Sequence, residues 1–122
     1  MAIIATGETV YPAWLAAKKL EDKHGIKTTV VSMHTIKPLD VKLLEKLASN
    51  GRPIMTVEEH MVNGGLGEAC ASHLFQRGFK NLFKIVGIPD EYTVTGSQVE
   101  IFNHYGISKD GLYETGKNLL KI

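Results

Sequence analysis

Four short runs of apolar and β-branched residues, each followed by a segment of helical periodicity, restrict this 122-residue chain to very few folds. The runs are Ile3-Ile4-Ala5, Thr28-Thr29-Val30-Val31-Ser32, Ile54 to Val57 and Leu82 to Val86. They carry almost no polar residue that could face water, so they predict strands buried on both faces. A mostly parallel sheet with helices on either side covers such strands. Right-handed crossovers then predict a three-layer α/β/α domain over residues 1–122, Rossmann-like, with a four-stranded sheet in the order 2-1-3-4.

The intervening segments carry their own start and stop signals. Helical spacing of Val10, Trp14, Ala17 and Leu20 predicts a helix over Glu8 to Lys23, with Trp14 in the core and Gly25 closing it. Asp40 suits the N-cap of a second helix with Val41, Leu44, Leu47 and Ala48 on one face. A third runs from about Gly65 to Arg77, with Leu66, Ala69, Cys70 and Leu74 inward. Gly87 to Gly96 reads as a long loop. Ser97 and Glu100 then have the spacing of a capping box, and Ser108 caps a last helix. The first strand begins almost at residue 1, which reads as a domain cut from something longer.

In the order 2-1-3-4, the first and third strands are neighbours whose outgoing connections leave on opposite faces. A crevice therefore opens between Thr6-Gly7 and Glu58-Glu59-His60, where α/β sheets usually bind something. The third strand leads through these polar residues into the turn Asn63-Gly64-Gly65 and a small-residue helix. Glu58, Glu59 and His60 could form an acid–base set, but adjacent strand residues alternate in direction, so at most two converge. A lone histidine there is more simply a hydrogen-bonding post for a loop or interface. Gly64, Gly65, Gly67, Ala69 and Ala71 strip side chains from one side of the helix start, allowing close approach of the chain's own sheet or of a partner.

Other chemistries lack their residues. Gly65-Leu66-Gly67-Glu68-Ala69-Cys70 approaches a dinucleotide fingerprint, but it follows the third strand, has Cys70 at its last position and lacks the acidic residue about twenty positions on. His24, His34, His60, His73 and His104 are scattered without metal-ligand spacing, and His24 and His34 read as solvated turn residues. Cys70, the only cysteine, precludes an internal disulfide and reads as a small buried residue of a cytoplasmic protein. Fourteen basic against 13 acidic residues leave a net charge of +1, which points away from nucleic acid and anionic membranes.

Taken in order, Ala2-Ile3-Ile4-Ala5-Thr6-Gly7, Val31-Ser32-Met33 with Ile36-Lys37-Pro38-Leu39-Asp40, Thr56-Val57-Glu58-Glu59-His60 with Gly64-Gly65-Leu66-Gly67, and Gly87-Ile88-Pro89-Asp90 to Gly96-Ser97 resemble the C-terminal domain of the transketolase family. That family includes transketolase, 1-deoxyxylulose-5-phosphate synthase and the β subunits of 2-oxoacid dehydrogenases. The resemblance implies a parent enzyme that uses thiamine diphosphate and magnesium to move two-carbon units between phosphosugars or to decarboxylate a 2-oxoacid. It also implies that this domain holds neither. In the family the cofactor sits between pyrophosphate-binding and pyrimidine-binding domains at a dimer interface, with a Gly-Asp-Gly motif for the metal and a glutamate for catalysis on those domains. No catalytic, cofactor or metal residue is therefore carried over to this sequence. The expected partners are those two domains, in a homodimeric parent. The family's preceding antiparallel edge strand lies before residue 1, which would leave Thr28 to Ser32 as an unpaired edge.

The leading expectation is thus a non-catalytic module that supports subunit assembly and frames an active-site entrance, with Glu59, His60, Gly64, Gly65 and Gly67 as its contact surface. A second is a regulatory module whose glycine-turn N–H groups and helix start hold a nucleotide or phosphosugar in the crevice. A third is an independent enzyme using His60 as base.

Overall fold

The computed structural model describes residues 1–122. Strands β1 (Ala2–Ala5), β2 (Thr29–Ser32), β3 (Ile54–Met61) and β4 (Phe83–Ile88) form one sheet in the order β2-β1-β3-β4, with every neighbouring pair parallel. This is the expected topology. Alternation along the central strands builds two cores. Ile3, Ala5, Met55 and Val57 face one side, with α1 (Val10–His24) and α5 (Lys109–Leu120); Ala2, Ile4 and Ile54 face the other, with α2 (Val41–Ala48) and α3 (Leu66–Gln76). α4 (Gln98–His104) is short and buries no residue completely. No helix is long and apolar enough to cross a membrane.

The local signals act as expected at most helix ends. The Asp40 carboxylate accepts from Leu43 N–H at 3.0 Å, and Ser97 and Glu100 exchange the two bonds of a capping box. Gly25 closes α1 in the left-handed region, at φ 67°.

Four local expectations need correction. His24 is not a solvated turn residue: it is the last residue of α1, with Nε2 2.9 Å from the Tyr113 hydroxyl. Trp14 is 49% exposed rather than core. The inward stripe of α1 is Ala13, Ala16, Ala17 and Leu20, whose small side chains bring the helix close to the sheet and leave Trp14 on the flank, stacked on Tyr11 at 6.1 Å. The second strand is not buried on both faces: its position at the sheet edge leaves Thr29 and Ser32 exposed and Val30 and Val31 half-buried. Finally, β3 runs on to Met61 where the apolar run ended at Val57, and β4 to Ile88, two residues into the expected loop. β1 accompanies β3 only to Val57; beyond it only β4 remains, with a register shift between Val57 and Met61.

α1 and α5 are linked by an ion pair, Lys19 Nζ to Asp110 Oδ1 at 2.9 Å, with the Lys19 ammonium 4.1 Å from the centre of the Tyr113 ring. The hydrogen bond between Lys19 and Asp110 lowers the carboxyl's pKa and raises the ammonium's. A depressed carboxyl stabilises the fold above its unfolded value, near pH 4, and loses that contribution as pH falls through its folded value. A raised lysine contributes below about pH 10 and loses it as pH rises through its folded value. Asp110→Asn is therefore expected to differ from wild type by a constant amount between about pH 5 and about pH 9, with the gap narrowing in acid. Urea unfolding across that range measures this.

Candidate functional site

The carboxyl edge of the sheet brings most of the expected site residues together, but in different roles. Alternation places Thr56 and Glu58 on the α3 side of β3, and both are buried, Glu58 to 1% exposure. The Glu58 carboxylate reaches the start of α3, accepting from Leu66 N–H at 2.8 Å through Oε2 and from Gly67 N–H at 2.9 Å through Oε1. Gly65 is the N-cap and has no side chain to offer, so a strand residue caps the helix instead. The charge also suits the positive end of the helix dipole. One step further out, Glu68 Oε2 accepts from Gly64 N–H at 2.7 Å, which ties down the turn.

The glycines follow from this arrangement. A Cβ on Gly65 would stand 2.0 Å from Glu58 Oε2, and one on Gly67 would stand 2.4 Å from Ile85 Cγ2 and 2.8 Å from Thr56 Oγ1. Both glycines are buried against the chain's own sheet and its capping carboxylate, so they are not part of a free contact surface as expected from sequence. Gly64 is exposed, with no atom within 4 Å of a Cβ and φ at 76°, where its missing side chain serves the turn.

Across the crevice, the half-buried Thr6 donates its N–H to Val57 O at 3.2 Å, and a Cβ on Gly7 would lie 3.3 Å from Glu59 Oε1. The exposed Glu59 carboxylate therefore stands over Gly7 at the crevice mouth. His60 is exposed and its Nδ1 lies 2.7 Å from Met61 O, with no carboxylate in hydrogen-bond reach. The three consecutive polar residues thus diverge: Glu58 inward, Glu59 over Gly7, His60 into solvent. They do not assemble an acid–base set.

Thr9 is a residue that sequence reasoning missed. Completely buried, its hydroxyl lies 2.7 Å from Thr6 O and 3.1 Å from Val57 O, holding the Gly7–Thr9 turn against β3. The only available signal was its spacing of three from Thr6. Thr56 is the opposite case, because its buried hydroxyl has no hydrogen-bond partner. Thr56→Val is expected to raise stability by about 1 kcal/mol, measured by thermal or urea unfolding.

Cys70 lies buried on α3, and burial, with the Glu58 charge adding to it, pushes its thiol up to about 12. At pH 8 roughly one thiol in ten thousand is then ionised. Cys70 is expected to react with a disulfide reagent at least about a thousandfold more slowly in the native protein than in denaturant. Equal rates would show that the α3 face of the core opens readily.

This edge does not fit the cofactor that the resemblance implies for the parent. The helix-start N–H groups of Leu66 and Gly67 that could cradle a diphosphate already serve Glu58, and a second carboxylate, that of Glu68, takes Gly64 N–H. No group of three or more His, Cys, Asp or Glu side chains is placed to hold a metal ion. The same occupation removes the donor set that a nucleotide or phosphosugar would need in the regulatory reading.

Comparison with known proteins agrees with the sequence resemblance. The family model for the transketolase C-terminal domain matches residues 1–112. An apulose-4-phosphate transketolase subunit of Phocaeicola vulgatus is 43% identical over 121 residues, which are 99% of this chain and 38% of that protein. The 1-deoxy-D-xylulose-5-phosphate synthase of Carboxydothermus hydrogenoformans is 39% identical over 118 residues, 97% of this chain and 19% of the relative. A solved structure described as a split gene transketolase, inactive beta4 tetramer, superposes with a TM-score of 0.83 at 30% identity, covering 98% of this chain and 39% of that one. The chain thus spans well under half the length of these relatives. Motif order, sheet topology and these matches agree: the chain belongs to the transketolase C-terminal domain family.

Proposed function

We propose that this chain is a non-catalytic module of a thiamine diphosphate-dependent transketolase-type enzyme. It would assemble with pyrophosphate-binding and pyrimidine-binding domains and frame the access side of an active site that those domains build. The two-carbon transfer between phosphosugars belongs to the parent and not to these residues. The observation that carries the reading is the role of Glu58. The one fully buried carboxylate at the strand ends is 1% exposed and bonded at each oxygen to an N–H group of its own helix start, so it caps that helix and does not face a substrate. Glu59 and His60, exposed beside it, are groups suited to orienting a neighbouring domain.

The test is turnover of ketose and aldose phosphates with added thiamine diphosphate and magnesium. The isolated chain is expected to give none. Adding a chain that carries the other two domains is expected to yield a stable complex and activity. Turnover by the isolated chain would sink the proposal.

A further inference from the structure

Two features at opposite ends of β4 have complementary chemistry. At its amino end, a groove of about 360 Å³ lies between α3 and β4, lined by Ala71, Leu74, Phe75, Phe79, Asn81 and Phe83. Phe75 is 83% exposed on its wall, and the adjoining Leu82 is 52% exposed. The exposed cations Arg77 and Lys80 flank it in sequence. The nearest acidic side chain on the facing helix, Glu45, is already bound by His73 and Arg77. At the carboxyl end of β4 the chain leaves through Pro89-Asp90-Glu91-Tyr92. Tyr92 is fully exposed, and Asp90 and Glu91 make no ion pair. The loop is nonetheless held at its far side, where Val94 N–H donates to the Tyr105 hydroxyl at 3.2 Å.

An exposed aromatic beside two free carboxylates is the counterpart of an aromatic groove with Lys80 close to it in sequence and unpaired, and with Arg77 shared with Glu45. We propose that the Asp90-Glu91-Tyr92 loop of one copy of this chain docks in the Phe75-Phe79-Phe83 groove of a second copy. The six residues of β4 separate loop and groove by about 20 Å, so a copy cannot fill its own groove. Two copies lying antiparallel along β4 make the contact twice and close as a two-fold dimer; made once, it is head-to-tail and propagates unless it closes into a ring. The groove is at the small end of binding-site volumes, roughly 300–1,000 Å³, which suits a single aromatic anchor better than a whole helix. Charge steering makes the contact sensitive to salt.

Sedimentation velocity over protein concentrations up to about 1 mM, in about 20 mM and about 500 mM salt, tests this. Concentration-dependent association is expected at low salt and weakening at high salt. Tyr92→Ala and Phe75→Ala, both at exposed positions, are each expected to weaken it at least about tenfold while leaving the melting curve unchanged. The pairs Asp90→Lys with Glu91→Lys, and Arg77→Glu with Lys80→Glu, are each expected to abolish it. Mixing those two charge-reversed proteins restores association, because the basic loop of one meets the acidic groove of the other and the unaltered loop of the second meets the unaltered groove of the first. A chain that stays monomeric at all concentrations in low salt overturns the proposal. So does association that ignores Tyr92 and Phe75, or a mixture that stays apart. Capture of a different protein by an otherwise monomeric chain would likewise remove the second copy as occupant.

Discussion

Glu58→Ala is expected to lower the stability of this domain by about 3–5 kcal/mol, far more than an average substitution. Two effects add. The charge-assisted hydrogen bonds to Leu66 and Gly67 are lost, and both N–H groups stay behind in a buried helix start with no acceptor. The dipole of α3 also loses the negative charge at its positive end. Glu58→Gln separates the contributions. It keeps one acceptor oxygen but turns an amide N–H₂ toward the other donor, so a loss of about 2 kcal/mol is expected. Urea unfolding should show the midpoint moving with little change in slope. Amide exchange at Leu66 and Gly67 should accelerate in step. A loss under about 1 kcal/mol for Glu58→Ala would mean that water caps α3 as well as the carboxylate does.

Gly67→Ala is expected to destabilise by about 2 kcal/mol, opposite in sign to the usual effect of this exchange inside a helix. On an exposed helix, alanine in place of glycine gains close to 1 kcal/mol. Here the new methyl would stand 2.4 Å from Ile85 Cγ2, well inside van der Waals contact, so α3 must lift from β4 or Ile85 must leave its rotamer. The cause can be isolated with Ile85→Ala, which removes both of the crowding γ-carbons. The double variant is expected to be more stable than the sum of the two single changes allows, by at least about 1 kcal/mol. Strict additivity would place the strain elsewhere, with the Thr56 hydroxyl at 2.8 Å the next candidate.

Both effects belong to one arrangement: a strand carboxylate capping a helix that lies almost on the sheet. Its parts were legible in the sequence, but their relation was not. Glu58 and the glycine turn stood out as the unusual stretch, and topology placed them at the switch point of the sheet. Alternation could say only that Glu58 and Glu59 point to opposite sides. Which of them points inward depends on where the sheet ends, and β3 outlasts β1 by four residues with a register shift on the way. Trp14 shows the same limit. Helical periodicity puts Val10, Trp14, Ala17 and Leu20 on one broad face, but the alanines at 13, 16 and 17 win the contact with the sheet because only small side chains let α1 approach.

The order of strands and helices followed from the sequence alone, because continuous apolar runs must be covered on both faces and crossovers between parallel strands have one hand. Caps at Asp40, Ser97 and Ser108 were equally readable, since each closes a bond within three residues. Only the tertiary structure decided which polar groups remain available at the carboxyl edge. Glu58 meets Leu66 and Gly67 eight and nine residues later in the chain, and Glu59 meets Gly7 from another strand's exit. Such pairings depend on how elements stack in space, a relation that periodicity and local propensity do not encode.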